Sequence, residues 1–208
     1  MKKSPIILAA GFFVMSLAIV SCGGENTASD VPAVDSTLLE RAVVLNLDSS
    51  NVTWKGEMLG VYAHEGNVQI KEGTLSVAGD SITAGSFVID LNTITPTDTN
   101  FNEAEGKTTE VLIGNLRSDD FFAVDSISTA TFTVTSFNGN VAMGKLNVRG
   151  VEGDENITDV VVSTANGMTT VTGKLVFDRQ KYGVAWASPM KDMVLSDNIE
   201  INVSLIGQ

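Results

Sequence analysis

Few residues in this sequence are able to do chemistry, and they lie far apart. His64 is the single histidine and Cys22 the single cysteine of 208 residues. One imidazole beside Glu65 cannot assemble the several His, Cys or carboxylate ligands that zinc takes. The H-E-x-x-H pattern is absent, because residue 68 is Val. The expectation is therefore no metal site, with His64 a polar residue in a loop or on the outer face of a strand. No G-x-S-x-G elbow presents a nucleophile. No G-x-x-x-x-G-K or G-x-G-x-x-G loop offers backbone N–H groups to phosphates. Asp119 and Asp120 are paired carboxylates, but acid–base work needs a cleft that separates their pKa values. Behind Ser118 they read instead as the capped, negatively charged start of a helical turn. Arg117, Arg149 and Arg179 are sparse cations among 25 acidic residues. Each reads as a surface ion pair, with contact to a polar or phosphate headgroup as the alternative. The sequence thus predicts no catalytic residue, no cofactor and no enzyme.

Cys22 has a different chemistry. Lys2 and Lys3 precede an apolar run from Ile6 to Val20. That run is shorter than the ~20 residues needed to span a bilayer and fits a signal-peptide core. It ends in Ile19-Val20-Ser21-Cys22-Gly23, which resembles a bacterial lipoprotein lipobox. The resemblance implies that residues 1–21 are a signal peptide and that Cys22 is acylated. The protein would then be lipid-anchored in the bacterial cell envelope, on the periplasmic side or the cell surface. The polar stretch after Cys22 is read, to residue 42, as a flexible linker. Residues 43–208 form the folded domain, long enough for a sizeable core.

The net charge is −12, and loss of Lys2 and Lys3 makes it more negative. An acidic surface repels nucleic acid, so nucleic-acid partners are excluded. With one cysteine there is no intrachain disulfide, and stability must come from packing.

The elements that must position these residues read as strands. Val, Thr, Ile and Phe alternate with polar residues at period two, as in Phe87-Val88-Ile89-Asp90-Leu91 and Ala130-Thr131-Phe132-Thr133-Val134. Ile199-Glu200-Ile201-Asn202-Val203 is the cleanest case. One apolar and one polar face marks antiparallel sheet. Ala78-Gly79-Asp80, Asn138-Gly139-Asn140 and Asn166-Gly167 read as tight turns. Only about residues 103–122 break the pattern. There Val111, Leu112 and Leu116 fit one face of a short helix. Periodicity alone leaves a sandwich and a barrel both open.

Several runs, in order, resemble the YceI-like family. They are Leu47-Asp48-Ser49-Ser50-Asn51-Val52-Thr53-Trp54-Lys55-Gly56, Gly85-Ser86-Phe87-Val88-Ile89-Asp90-Leu91 and Leu116-Arg117-Ser118-Asp119-Asp120-Phe121-Phe122. Ala130-Thr131-Phe132, Gly144-Lys145-Leu146-Asn147-Val148-Arg149-Gly150-Val151 and Asp178-Arg179-Gln180-Lys181-Tyr182-Gly183-Val184 follow. The resemblance covers about 43–207. It implies an all-β fold, an eight-stranded antiparallel lipocalin-like β-barrel with a short helical segment. It also implies that a polyisoprenoid or other long-chain amphiphile, quinone-like included, is held inside. Three places depart from the pattern. Glu152-Gly153-Asp154-Glu155 replaces a Thr-x-Pro turn and reads as an acidic loop, Tyr182 stands where Trp is common, and Ala187–Met193 has no clear match.

The residues expected to line such a pocket are Trp54, Phe87, Ile89, Leu91, Phe132, Val134, Leu146, Val148, Leu175 and Phe177, with Ile201 and Val203 beside them. Gly85, Ala130, Gly144 and Gly173 share their faces and would leave space for an alkyl chain. The alternative is a filled interior, in which the glycines only let strands bend. The protein would then be an anchored protein–protein interaction module without a ligand.

Overall fold

The computed structural model describes residues 39–188 and 193–208. The expected signal peptide, Cys22, residues 22–38 of the linker and part of the Ala187–Met193 stretch lie outside them. Nine strands carry the described chain: β1 (Arg41–Val43), β2 (Asn51–Met58), β3 (Tyr62–Ala78), β4 (Ser81–Pro96), β5 (Thr129–Asn138), β6 (Val141–Val148), β7 (Val151–Ala165), β8 (Met168–Asp178) and β9 (Leu195–Gly207). One helix, α1 (Thr109–Arg117), lies between β4 and β5.

Strands β2 to β9 close an antiparallel barrel. Each pairs with its sequence neighbour, and β2 pairs with β9 to complete the ring. The expected eight-stranded barrel is what the chain forms. Strand β1 is a ninth, short piece. It starts at Arg41, inside the stretch read as linker, and pairs with the end of β3 through Val43↔Leu75. Beyond it, Val44 exchanges both backbone hydrogen bonds with Gln208, at 2.6 and 3.0 Å. The segment from β1 to β2 therefore seals the corner between β3 and β9.

The two barrel ends are built differently. At one end two-residue turns join β3 to β4, β5 to β6 and β7 to β8. All three expected turns sit there. Asn166 (φ 53°) and Gly167 (φ 80°) both take the left-handed geometry that a tight hairpin of matching twist requires. The opposite end carries residues 97–128, which include α1, and residues 179–188.

α1 starts where Thr108 accepts a hydrogen bond from the Val111 N–H, at 3.3 Å. Glu110 stands in its first turn and Arg117 in its last, matching the helix dipole. Ser118 ends this helix and does not begin another. Its carbonyl accepts from the N–H groups of Phe121 and Ala123. Asp119 and Asp120 thus lie in a turn after a helix C-terminus, which corrects the capping expectation. The apolar face of residues 111–116 outweighed the cap signal at 118.

Glu152–Glu155 forms no loop either. These residues are the start of β7, paired with β6 through Leu146↔Gly153. Glu155 accepts the Tyr182 hydroxyl proton at 3.0 Å, and a Cβ at Gly153 would lie 2.5 Å from the Tyr182 oxygen. The acidic run and the tyrosine are one arrangement. Burial and the Glu155 carboxylate both push the Tyr182 hydroxyl far above the ordinary phenol value.

The inward glycines make room for neighbouring rings. A Cβ at Gly144 would lie 2.5 Å from the Thr133 carbonyl and against the Phe132 ring. Gly144→Val should destabilise the fold by about 1–3 kcal/mol, the range for overpacking. Urea unfolding against wild type checks this, and an unchanged midpoint would refute the account.

Candidate functional site

Alternation within each strand sends one set of side chains into the barrel. An eight-stranded ring leaves an interior that side chains can just fill, or that can hold one small ligand. Here the side chains do not fill it. A cavity of about 590 Å³ runs inside the barrel, within the roughly 300–1,000 Å³ of known ligand sites. It reaches from Leu75, Ile82, Ala142 and Leu205, near the tight-turn end, to Glu105, Lys107 and Thr108 at the loop end.

All ten residues picked from the sequence face this hollow. Trp54 comes from β2; Phe87, Ile89 and Leu91 from β4; Phe132 and Val134 from β5; Leu146 and Val148 from β6; Leu175 and Phe177 from β8. Ile201 and Val203 of β9 join them. Trp54, Phe87, Ile89, Val134, Ile201 and Val203 are only half-buried, although they point inward. In a filled core they would be fully covered. Of the small residues, Ala130 lines the hollow, but the glycines do not make the space. The positions beside Gly85 and Gly173 are occupied by Val134 and Phe87, and by Ile157 and Val160.

The sequence reading missed the β3 wall and the loop-end residues. Val68 and Ile70 alternate on β3 and could have been found by period two, but Leu75 faces inward only because a bulge between Ile70 and Glu72 shifts the register, and period two would have put it outside. Phe101, Phe121, Phe122 and Trp186 come from irregular segments, where no periodicity marks an inward side. Phe121 packs against Trp186 at 5.5 Å between ring centroids, which joins the two long loops at the opening. Leu112 and Leu116 turn the apolar face of α1 toward the same space.

Two arginines hold those loops. Arg179 is only 3% exposed, a correction to its surface reading. Its guanidinium donates to the carbonyls of Val184 (2.5 Å), Ser196 (2.9 Å) and Trp186 (3.0 Å), and to Asp197 Oδ1 (3.2 Å). A planar group with five donors suits this task. Arg149 donates to the carbonyls of Asp119 and Phe121, fastening the turn after α1 to the β6–β7 hairpin. Arg117 does form the expected ion pair, with Asp125 at 3.3 Å.

His64 departs from its expectation as well. It sits near the start of β3 and lines the cavity. Its Nδ1 lies 3.1 and 3.2 Å from the two oxygens of Asp98, in the loop after β4. Asp98 also accepts from the N–H groups of Asn100 (2.8 Å) and Glu65 (3.0 Å). The imidazole packs edge-on to Tyr62 and stacks on Phe101, at 5.1 and 5.0 Å. A residue 34 positions away supplies the partner, so no local pattern could reveal it. Among the described residues, no three His, Cys, Asp or Glu are grouped to hold a metal. At the rim Lys107 pairs with Glu105 at 2.6 Å, which raises the lysine pKa.

The site is therefore an apolar tube with a narrow polar margin at one end. It can remove a hydrocarbon chain from water and meet a polar group at its opening. Comparison with known proteins agrees on the architecture. Residues 44–206 match the YceI-like domain. The chain resembles the crystal structure of Burkholderia cenocepacia BcnA, with a TM-score of 0.61 at 19% identity, covering 79% of this chain and 100% of that one. It also resembles a polyisoprenoid binding domain from Saccharophagus degradans described as implicated in plant cell wall breakdown. There the TM-score is 0.54 at 15% identity, over 79% of this chain and 96% of that one. No curated protein matches the chain.

The Asp98 cluster has a pH signature. Burial raises the Asp98 pKa, but the N–H groups of Asn100 and Glu65 and the His64 ring together outweigh it and hold the carboxyl below its ordinary 3.8. A carboxyl with a depressed folded-state pKa contributes stability above its unfolded value and loses it as pH falls through the folded one. Asp98→Asn should therefore be less stable than wild type at neutral pH. The gap in urea midpoint should narrow as pH drops below about 4. A gap that stays constant into acid would contradict the arrangement.

Proposed function

The chain belongs to the YceI-like family, and from that premise we propose that it binds one long-chain amphiphilic lipid, a polyisoprenoid or quinone-like molecule, inside the barrel without catalysing a reaction. One observation carries this reading: the apolar cavity that runs along the barrel and opens at the loop end. Apolar area removed from water gains about 25 cal/mol per Å², or about 0.8 kcal/mol per buried CH₂. A linear hydrocarbon thus collects affinity along the whole wall, from Leu205 to Phe101. The solved structure of a polyisoprenoid binding domain with the same fold supports this ligand class.

The competing reading, an interaction module with a filled interior, has no observation in its favour. The half-buried inward residues and the open space beside them speak against it. The reading includes attachment to the bacterial cell envelope through acylated Cys22. Acyl chains on the cysteine would bring the barrel to the membrane that holds its ligand.

Val134→Phe separates the two readings. Placed in a hollow, the ring should lower uptake of a fluorescent isoprenoid at least about tenfold while the thermal midpoint holds or rises. In a filled core the same change should cost about 1–3 kcal/mol. Organic extraction of the purified wild-type chain followed by mass spectrometry should return a prenyl or other long-chain lipid. No extracted lipid together with no isoprenoid uptake would remove the proposal.

Attachment has its own test. Cells fed radiolabelled palmitate should label the wild-type protein, and Cys22→Ser should abolish both the label and recovery in the membrane fraction. Unchanged label in the variant would reject the anchor.

A further inference from the structure

The His64–Asp98 pair puts a polar device on the cavity wall that a plain hydrocarbon would not need. Resting on the lipid-binding reading above, we propose that His64, oriented by Asp98, is a headgroup-recognition site at the loop end and selects a chain that ends in a hydroxyl group.

The argument begins with the tautomer. The Asp98 carboxylate only accepts hydrogen bonds. Its oxygens already take the N–H groups of Asn100 and Glu65, and they lie 3.1 and 3.2 Å from Nδ1 of His64. The ring proton of the neutral imidazole therefore sits on Nδ1. Nε2 is left with a bare lone pair, which needs a donor. Among the described residues nothing bonds to Nε2. Among the described residues no buried side-chain nitrogen or oxygen lacks a partner, so Nε2 keeps accessible surface. The imidazole is on the cavity wall, its side chain only 18% exposed.

Orientation and space complete the site. Tyr62 meets the ring edge-on and Phe101 stacks on it, so its plane is fixed. Across the β2–β3 ladder the partner of His64 is Gly56. A Cβ built there meets only the Ile199 side chain, at 3.6 Å. The next pair, Trp54 and Gly66, differs: a Cβ at Gly66 would run into the Thr95 carbonyl and lie 2.8 Å from the Trp54 ring. Gly66 is closed off by β4 and by Trp54, whereas Gly56 leaves open volume beside the imidazole. An O–H group at the end of a chain threaded through the tube would reach Nε2 there. An ether or quinone carbonyl has no proton to give this lone pair.

The test compares farnesol with farnesyl methyl ether, which differ in the O–H donor. Binding is followed by intrinsic fluorescence, because both tryptophans, Trp54 and Trp186, line the cavity. In mildly alkaline buffer wild type should bind the alcohol about five- to tenfold more tightly than the ether, the scale of one hydrogen bond. His64→Phe keeps a ring for Phe101 to stack on. It should bring the two ligands to equal affinity. Gly56→Val should remove the same preference by filling the space beside the ring. Equal binding of both ligands by wild type, or a preference that survives in His64→Phe, would overturn the assignment with lipid binding intact. Binding of neither ligand would overturn the lipid-binding reading and this inference together.

Discussion

The ladder of backbone hydrogen bonds that closes β2 onto β9 sets the size of everything inside it. Eight strands about 4.8 Å apart fix a circumference. Side chains can then fill or fail to fill the space, but they cannot shrink it without breaking the ring. This is why an apolar hollow survives in water, where a loose cluster of the same residues would collapse. The same closure removes the exposed edges of a strand-rich chain. The β1 segment matters for that reason, since Val44 and Gln208 pair where β3 and β9 would otherwise leave a gap.

Closure at one end is achieved by turns, and at the other by loops that must be held. The tight-turn end needs only residues that accept left-handed backbone, such as Asn166 and Gly167. The loop end carries carbonyl groups with no strand partner, and buried carbonyls must find donors. Arg179 answers several of them from one side chain, and Arg149 answers two more. Both cations are spent on the protein's own backbone. On the wall, His64 keeps Nε2 unbonded while Asp98 holds its Nδ1.

Where the sequence misled, the cause was a stronger neighbouring element or a contact between distant segments. Asp119 and Asp120 looked like the start of a helix because Ser-Asp-Asp is a favourable cap, yet they follow α1. Glu152–Glu155 looked like a loop because it is acidic and holds a glycine. In the strand, Gly153 clears space for Tyr182 and Glu155 receives its hydroxyl. His64 looked like an outward polar residue until Asp98 became its neighbour. In the last two cases the local signal was real and a partner remote in sequence overruled it.

The sequence by itself determined the class of fold and much of the wall. Period-two alternation decides which side of a strand is apolar, and closure then turns that side inward, so Phe87, Ile89, Phe132 and Leu146 were legible as lining residues. The turn residues Asn166-Gly167 were legible because φ > 0 limits which residues fit. Only the tertiary structure decided whether the inward face surrounds a hollow, and which irregular segments roof it. Volume is what remains after every wall residue takes its place, and it depends on strand number, register and the reach of opposing side chains. The Arg179 cradle and the His64–Asp98 pair likewise exist only once residues far apart in the chain are brought within hydrogen-bond distance, and no local pattern encodes that.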